Sequence, residues 1–215
     1  MGDVWRDLLG VWRADEIRDR PGVHATLMAP SGRHVLGMPV ELDPNEEYRL
    51  FDTNRAVLSF ECVDDLWYGP EEQTTTRLAP TFTGGLPVPA AVPFVLGGGT
   101  GESDSIVQVG GDVAAWPVFE VRGPISDPWI DVPGVGRLVF RGQLAYDQVL
   151  QVDTRPWARW VKRDGAAFPG ALSPAGARLS DMAMRPGSYR VIFGGYDPSG
   201  TSLLTVRVSP AFTSF

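Results

Sequence analysis

Cysteine and histidine are almost missing from this chain: 215 residues contain one cysteine, Cys62, and two histidines, His24 and His34. A lone cysteine excludes an intrachain disulfide, so the fold has to rest on its core, and a reducing site of synthesis suits it. Two histidines without a His-x-x-x-His spacing leave a zinc site of the usual kind short of ligands. Both are therefore read as structural or surface residues. Cys62 falls in register with Ala56, Leu58 and Phe60, which places it on an inward face as a small buried hydrophobe.

Runs of one kind are missing too. No stretch approaches the roughly 20 apolar residues of a membrane span. The start of the chain passes directly to Asp3, Arg6 and Asp7 without an apolar core, so no signal peptide is expected and synthesis in the cytoplasm is. Basic residues are scattered, and the net charge is −7. A nucleic-acid or anionic-membrane surface needs clustered Lys and Arg, so neither partner is expected. Catalytic motifs are absent as well. Gly97-Gly98-Gly99-Thr100-Gly101 lacks the Lys-Ser/Thr of a phosphate loop and is read as connector, and there is no Gly-x-Ser-x-Gly elbow. The acidic doublets Glu46-Glu47, Asp64-Asp65 and Glu71-Glu72 would point to opposite faces of a strand, which suits no acid–base couple. Asp127, Asp131, Asp147 and Asp153 fall in turn-like places, where Asp needs no metal to explain it. No metal and no cofactor are expected.

Glycine and proline, by contrast, are abundant, at 25 and 19 residues. Pro lacks an N–H and Gly carries the largest backbone entropy cost, so the chain cannot be mainly helical. Hydrophobic residues at 43% and charged residues at 21% describe an ordinary globular protein.

Residues 3–17 predict one amphipathic helix. Trp5, Leu8, Leu9 and Trp12 form its apolar stripe, Asp3 its N-cap, and Pro21-Gly22 its stop. After Pro21 the period becomes two. Val23, Ala25 and Leu27 alternate, then Leu36, Met38, Val40 and Leu42, then Ala56, Leu58, Phe60 and Cys62, each set on one face of a strand, with a turn at Pro30-Ser31-Gly32. The first block is thus a helix packed on a small antiparallel sheet that ends near Trp67-Tyr68-Gly69-Pro70, with the first domain taken to span 1–83. Residues 84–104, rich in Pro and Gly, are expected to be a connector. From 105 to 215 the pattern is strands at 118–122, 138–140, 149–150, 157–161, 189–193 and 203–208 with turns between them, including Asp127-Pro128. That spacing predicts a β-sandwich.

Several segments together resemble a known family. Arg18-Asp19-Arg20-Pro21-Gly22, Gly32-Arg33, Gly37-Met38-Pro39 and Phe60-Glu61-Cys62-Val63-Asp64-Asp65-Leu66-Trp67-Tyr68 resemble the first domain of siphophage distal tail proteins, the minor tail proteins of actinobacteriophages. Gly110-Gly111-Asp112 through Trp116-Pro117, Val121-Arg122-Gly123-Pro124, Val152-Asp153-Thr154, Arg185-Pro186-Gly187-Ser188 and Val206-Arg207-Val208-Ser209-Pro210-Ala211-Phe212 are similar to its C-terminal galectin-like, jelly-roll domain. The order and spacing of these segments carry the resemblance.

The resemblance implies a non-enzymatic part of the virion, assembled in the host cytoplasm. It implies a homohexameric ring joining the tail tube protein to the tail hub and to receptor-binding proteins in the baseplate. Family members place strands ahead of the helix. Here the helix comes first, so the resemblance further implies a sheet edge that a neighbouring subunit covers. Two other readings stay open. Trp129, Trp157 or Trp160 would stack on a sugar ring in a carbohydrate-binding module of the tail tip, or two distant carboxylates would serve a glycan hydrolase.

Overall fold

The computed structural model describes residues 2–45, 55–81 and 100–215. The chain divides into two compact units, Met1–Gly69 with Phe212–Phe215, and Pro70–Ala211.

In the first unit the expected single helix is two: α1 (Gly2–Arg13) and α2 (Asp15–Arg18), separated by Ala14 in the left-handed region at φ 51°. The apolar stripe ends at Trp12, and Ile17 lies five residues further on, out of phase with it. The break lets the chain reset, and Ile17 ends half-buried. Helix α1 begins at Gly2, so Asp3 lies inside its first turn and is not its N-cap. The stripe does cover strands. The Trp12 indole N–H donates to the Glu41 carbonyl at 2.9 Å, and its ring meets Phe60 at 6.3 Å between centroids.

The sheet below is antiparallel. Strand β1 (Ala25–Met28) pairs with β2 (His34–Asn45) around the expected turn, where Gly32 takes φ 83°. Strand β3 (Arg55–Cys62) pairs with the far part of β2, and the short β4 (Trp67–Tyr68) pairs at His34. The buried face of β2 is not the one that carries the larger apolar side chains. Val35, Gly37 and Pro39 are buried, while Leu36, Met38 and Leu42 are half-buried and Val40 is exposed. A register shift between Pro39 and Glu41 leaves Val40 as the extra residue. Gly37 is required where it stands, because a Cβ there would meet the Glu61 carbonyl oxygen at 2.0 Å.

Cys62 is exposed, contrary to the buried position expected from its register. Alternation identifies residues that share a face. It does not say whether anything covers them, and the Trp12 ring reaches Phe60 on that face. The Asp64-Asp65-Leu66-Trp67-Tyr68 segment is a small locked turn: Asp64 accepts the Leu66 N–H at 3.2 Å and the Tyr68 hydroxyl. Tyr68 is buried beside His34, whose pKa burial holds below its ordinary value of 6.5. The C-terminal residues return to this unit. Arg33 lies 3.5 Å over the Phe212 ring and donates to the Ser214 carbonyl at 2.6 Å, and Trp67 meets Phe215 at 5.6 Å.

In the second unit the strands are β5 (Glu72–Arg77), β6 (Pro80–Thr81), β7 (Thr100–Val109), β8 (Val118–Arg122), β9 (Ile125–Val132) and β10 (Gly136–Val139). They continue with β11 (Gln143–Leu144), β12 (Val149–Asp153), β13 (Trp160–Arg163), β14 (Ala166–Ala167), β15 (Gly187–Tyr196) and β16 (Leu203–Val208), whereas the last strand, β17 (Ala211–Phe212), stands next to β4 in the sheet of the first unit. One sheet runs β14-β13-β12-β8-β16-β5, and the other β10-β9-β15-β7-β6 with β11 also on β9. Val161, Val152, Phe119 and Val206 stand opposite one another across the first sheet and are all buried. Ile130 and Phe193 do the same in the second. One buried and one polar face per sheet is the pattern of a β-sandwich. Phe119, Phe140 and Phe193 are each at most 1% exposed, and full burial of such a ring contributes about 2–3 kcal/mol.

The expected boundaries shift. The helix-and-sheet block ends at Gly69, but Glu72–Arg77 pairs with Leu203–Val208, so the residues from Pro70 to 83 do not continue the first unit and the second begins at Pro70. Of the connector expected over 84–104, residues 100–104 belong to β7, and the rest, with the Gly97-Gly98-Gly99 run, lies outside the described residues. Asp127-Pro128, read as a turn, lies within β9. Asp127 takes φ 47° and the pairing with β15 shifts register beside it, a bulge that accommodates the missing N–H of Pro128. Asp131 and Asp153 likewise stand in strands and not in turns.

Candidate functional site

The strands β9, β15 and β7 bring together an aromatic-lined recess of the second unit. Ile130 and Phe193 point into the core, so Trp129 and Gly194 point to the opposite, outer face. Trp129, Gly194 and Glu102 form one cross-strand row, and Ser126, Tyr196 and Thr100 form the next. Gly194 makes the arrangement feasible. A Cβ there would sit 2.2 Å from Trp129 Cζ2 and 2.3 Å from Cε2, so the indole occupies the space a side chain would take. Beside these rows lies an open cleft of about 550 Å³, lined by Trp129, Tyr196, Glu102, Asp127, Ser126 and Thr100 among others.

The contacts of Trp129 limit what it can do. The Arg137 guanidinium lies 4.0 Å from its ring centroid, and Gly194 packs against the ring. Tyr196, 48% exposed, is the free aromatic surface of the cleft. Asp127 is committed: its Oδ1 accepts the Gly142 N–H at 2.9 Å. Hydroxyls, carboxylates and an exposed ring are groups that contact a polyhydroxylated ligand. The other two tryptophans lie elsewhere. Trp160 is on β13, in the other sheet, with the Lys162 ammonium 4.1 Å from its centroid, and Trp157 lies before it with Arg155 at 5.7 Å. Trp129 is therefore not brought together with Trp160. Tyr196 was missed because a tyrosine at a strand end carries no signal beyond alternation.

A different surface is offered by the first unit. Val57, at 65% exposure, and Leu58 lie on β3, Met28 on β1 and Val40 on β2, all exposed, as are Val4 and Val11 on α1. Among the described residues the outer edge of β3 pairs with no strand, and β2 beyond Gly37 pairs only on its β3 side. Trp5, Leu8, Leu9 and Trp12 are no more than half-buried. Apolar side chains next to unpaired strand edges form a surface suited to protein association.

Among the described residues no group of three His, Cys, Asp or Glu side chains could hold a metal ion, and no helix is long and apolar enough to cross a membrane. No family model matches the chain, and no curated protein matches it. Among solved structures it is similar to the crystal structure of the SPP1 Dit (gp 19.1) protein, described as a paradigm of the hub adsorption apparatus in Gram-positive infecting phages. The two share 15% identity at a TM-score of 0.53, over 91% of this chain and 66% of that one. The likeness shows a shared fold, and the chain spans just under two thirds of that protein's length.

Proposed function

We propose that this chain is a structural component of the distal tail of a long-tailed bacteriophage, built into a homohexameric ring that joins the tail tube to hub or receptor-binding proteins. The observation that carries the reading is the fold likeness to a phage hub adsorption protein over 91% of the chain. The first unit supports it. Its strand edges, unpaired among the described residues, and exposed Val40, Val57 and Leu58 are a surface for neighbouring subunits to cover. In this reading the second unit is the galectin-like domain that faces tail-tip partners, and the chain acts as scaffold in the virion without catalysing a reaction. Sedimentation across a wide concentration range tests it. Concentration-dependent assembly that Val57→Lys abolishes is the expected result. A monomer at every concentration, together with absence of the chain from purified tails, would overturn it.

A second reading, contact with host cell-wall glycan, is favoured by the cleft at Tyr196. Trp160 and Trp157 remain further candidates for stacking. A glycan array with Tyr196→Ala, Trp157→Ala and Trp160→Ala variants separates these positions.

A further inference from the structure

Two arginines of this acidic chain face outward, their guanidiniums unpaired among the described residues. Arg77 on β5 and Arg122 on β8 stand on either side of Leu203 on β16, all three in register. The inward positions beside this row belong to Val121 and Leu204, so both guanidiniums leave the polar face of the sheet. Strands two apart are separated by about 10 Å, which two extended arginines can close onto one ligand. One row along, Glu120 is already engaged, accepting from Arg207 and from Gln151 at 3.3 Å each. Among the described residues neither the Arg77 nor the Arg122 side chain has an ion pair or hydrogen bond.

Both arginines line a cavity of about 520 Å³ together with Tyr146, Asp147 and Thr201. Its wall is held in place. Gln148 closes the turn, accepting the Ala145 N–H on its side chain at 2.9 Å and donating its own N–H to the Ala145 carbonyl at 3.1 Å. The chain there runs so close to Gly123 that a Cβ would meet the Ala145 carbonyl oxygen at 2.1 Å. This turn displays Tyr146 at 73% exposure.

We infer that this cavity binds an anionic saccharide, a sugar unit carrying a phosphate or carboxylate. Guanidinium forks match either anion in two-point contacts. The Tyr146 ring offers a face for a sugar ring, and Asp147 and Thr201 offer partners for its hydroxyls. The volume falls in the range of small-ligand sites, roughly 300–1,000 Å³. The inference is independent of ring formation, because it concerns the second unit of the chain by itself.

Calorimetric titration of the whole chain with glucose 6-phosphate, glucuronate, glucose and inorganic phosphate tests it. The expected result is saturable binding of at least one of the two anionic sugars and none of glucose. Preference between those two identifies the anion. Arg77→Gln and Arg122→Gln should each weaken binding about tenfold or more, whereas Arg141→Gln, outside the cavity, should leave it unchanged. Tyr146→Ala should weaken the sugars and spare inorganic phosphate. Failure of both anionic sugars to saturate by about 10 mM, equal binding of glucose, or an equal loss in Arg141→Gln would each overturn the inference.

Discussion

Asp197 makes a testable keystone for the second unit. It follows β15, is fully buried, and its carboxylate takes the whole turn into β16. Oδ1 accepts the Ser199 N–H at 2.8 Å and the Ser199 hydroxyl at 2.5 Å, and Oδ2 accepts the Thr201 and Ser202 N–H groups at 2.9 Å each. In Asp197→Ala the Ser199 and Thr201 donors turn to water, at a cost of under about 1 kcal/mol each. Ser202 is buried, so its N–H is left without an acceptor, at about 1–3 kcal/mol. The sum is about 1–5 kcal/mol, or roughly 3–4 °C in Tm per kcal/mol for a unit of this size. Asp197→Asn keeps the shape but turns an NH₂ toward N–H donors, so it should lose about 2 kcal/mol.

The pH dependence adds a second signature. Burial alone would raise the Asp197 pKa, but the hydrogen bonds from Ser199 and Ser202 outweigh it and hold it below 3.8. A folded-state pKa lowered in this way gives stability that is present above the unfolded value and lost as pH falls through the folded one. Urea unfolding between pH 2 and pH 7 should show the wild type losing part of its advantage over Asp197→Asn below about pH 4. A cost under about 1 kcal/mol for Asp197→Ala, or acid limbs of identical shape in wild type and Asp197→Asn, would refute the reasoning.

Gly194→Ala should cost about 1–3 kcal/mol through overpacking and displace the Trp129 ring, which near-ultraviolet circular dichroism would register; an unchanged spectrum and stability would mean the indole does not lie over Gly194. Phe193→Ala, at a fully buried ring, should cost about 3–5 kcal/mol in denaturant unfolding. Cys62 should react with a thiol reagent in the folded protein, one equivalent per chain. Its rate should keep rising above the pH at which a free thiol levels off, because residual burial and then the Asp64 carboxylate raise its pKa. A thiol that reacts only after unfolding would contradict its exposed position.

The strands Val118–Arg122, Tyr189 to Phe193 and Leu203–Val208 were legible in the order of residues, because each alternates large apolar with polar side chains and ends at a Gly, Pro or Asp turn. The Trp5, Leu8, Leu9, Trp12 helix was legible for the same reason at a different period. Glu72–Arg77 was not, since its Gln and Thr residues carry no apolar alternation and it is a strand only because Leu203–Val208 accepts it as partner. Nor was the buried face of β2, where Gly37 and Pro39 hide an inward register that depends on close approach to Glu61.

Side-chain periodicity is a local property and survives in a linear reading. Which strands pair, which face is covered, and which charged groups are left without a partner depend on residues far apart in the chain. The row of Arg77, Leu203 and Arg122 shows it: Leu203 lies 126 residues from Arg77 and 81 from Arg122 in the chain, and only sheet pairing makes them neighbours.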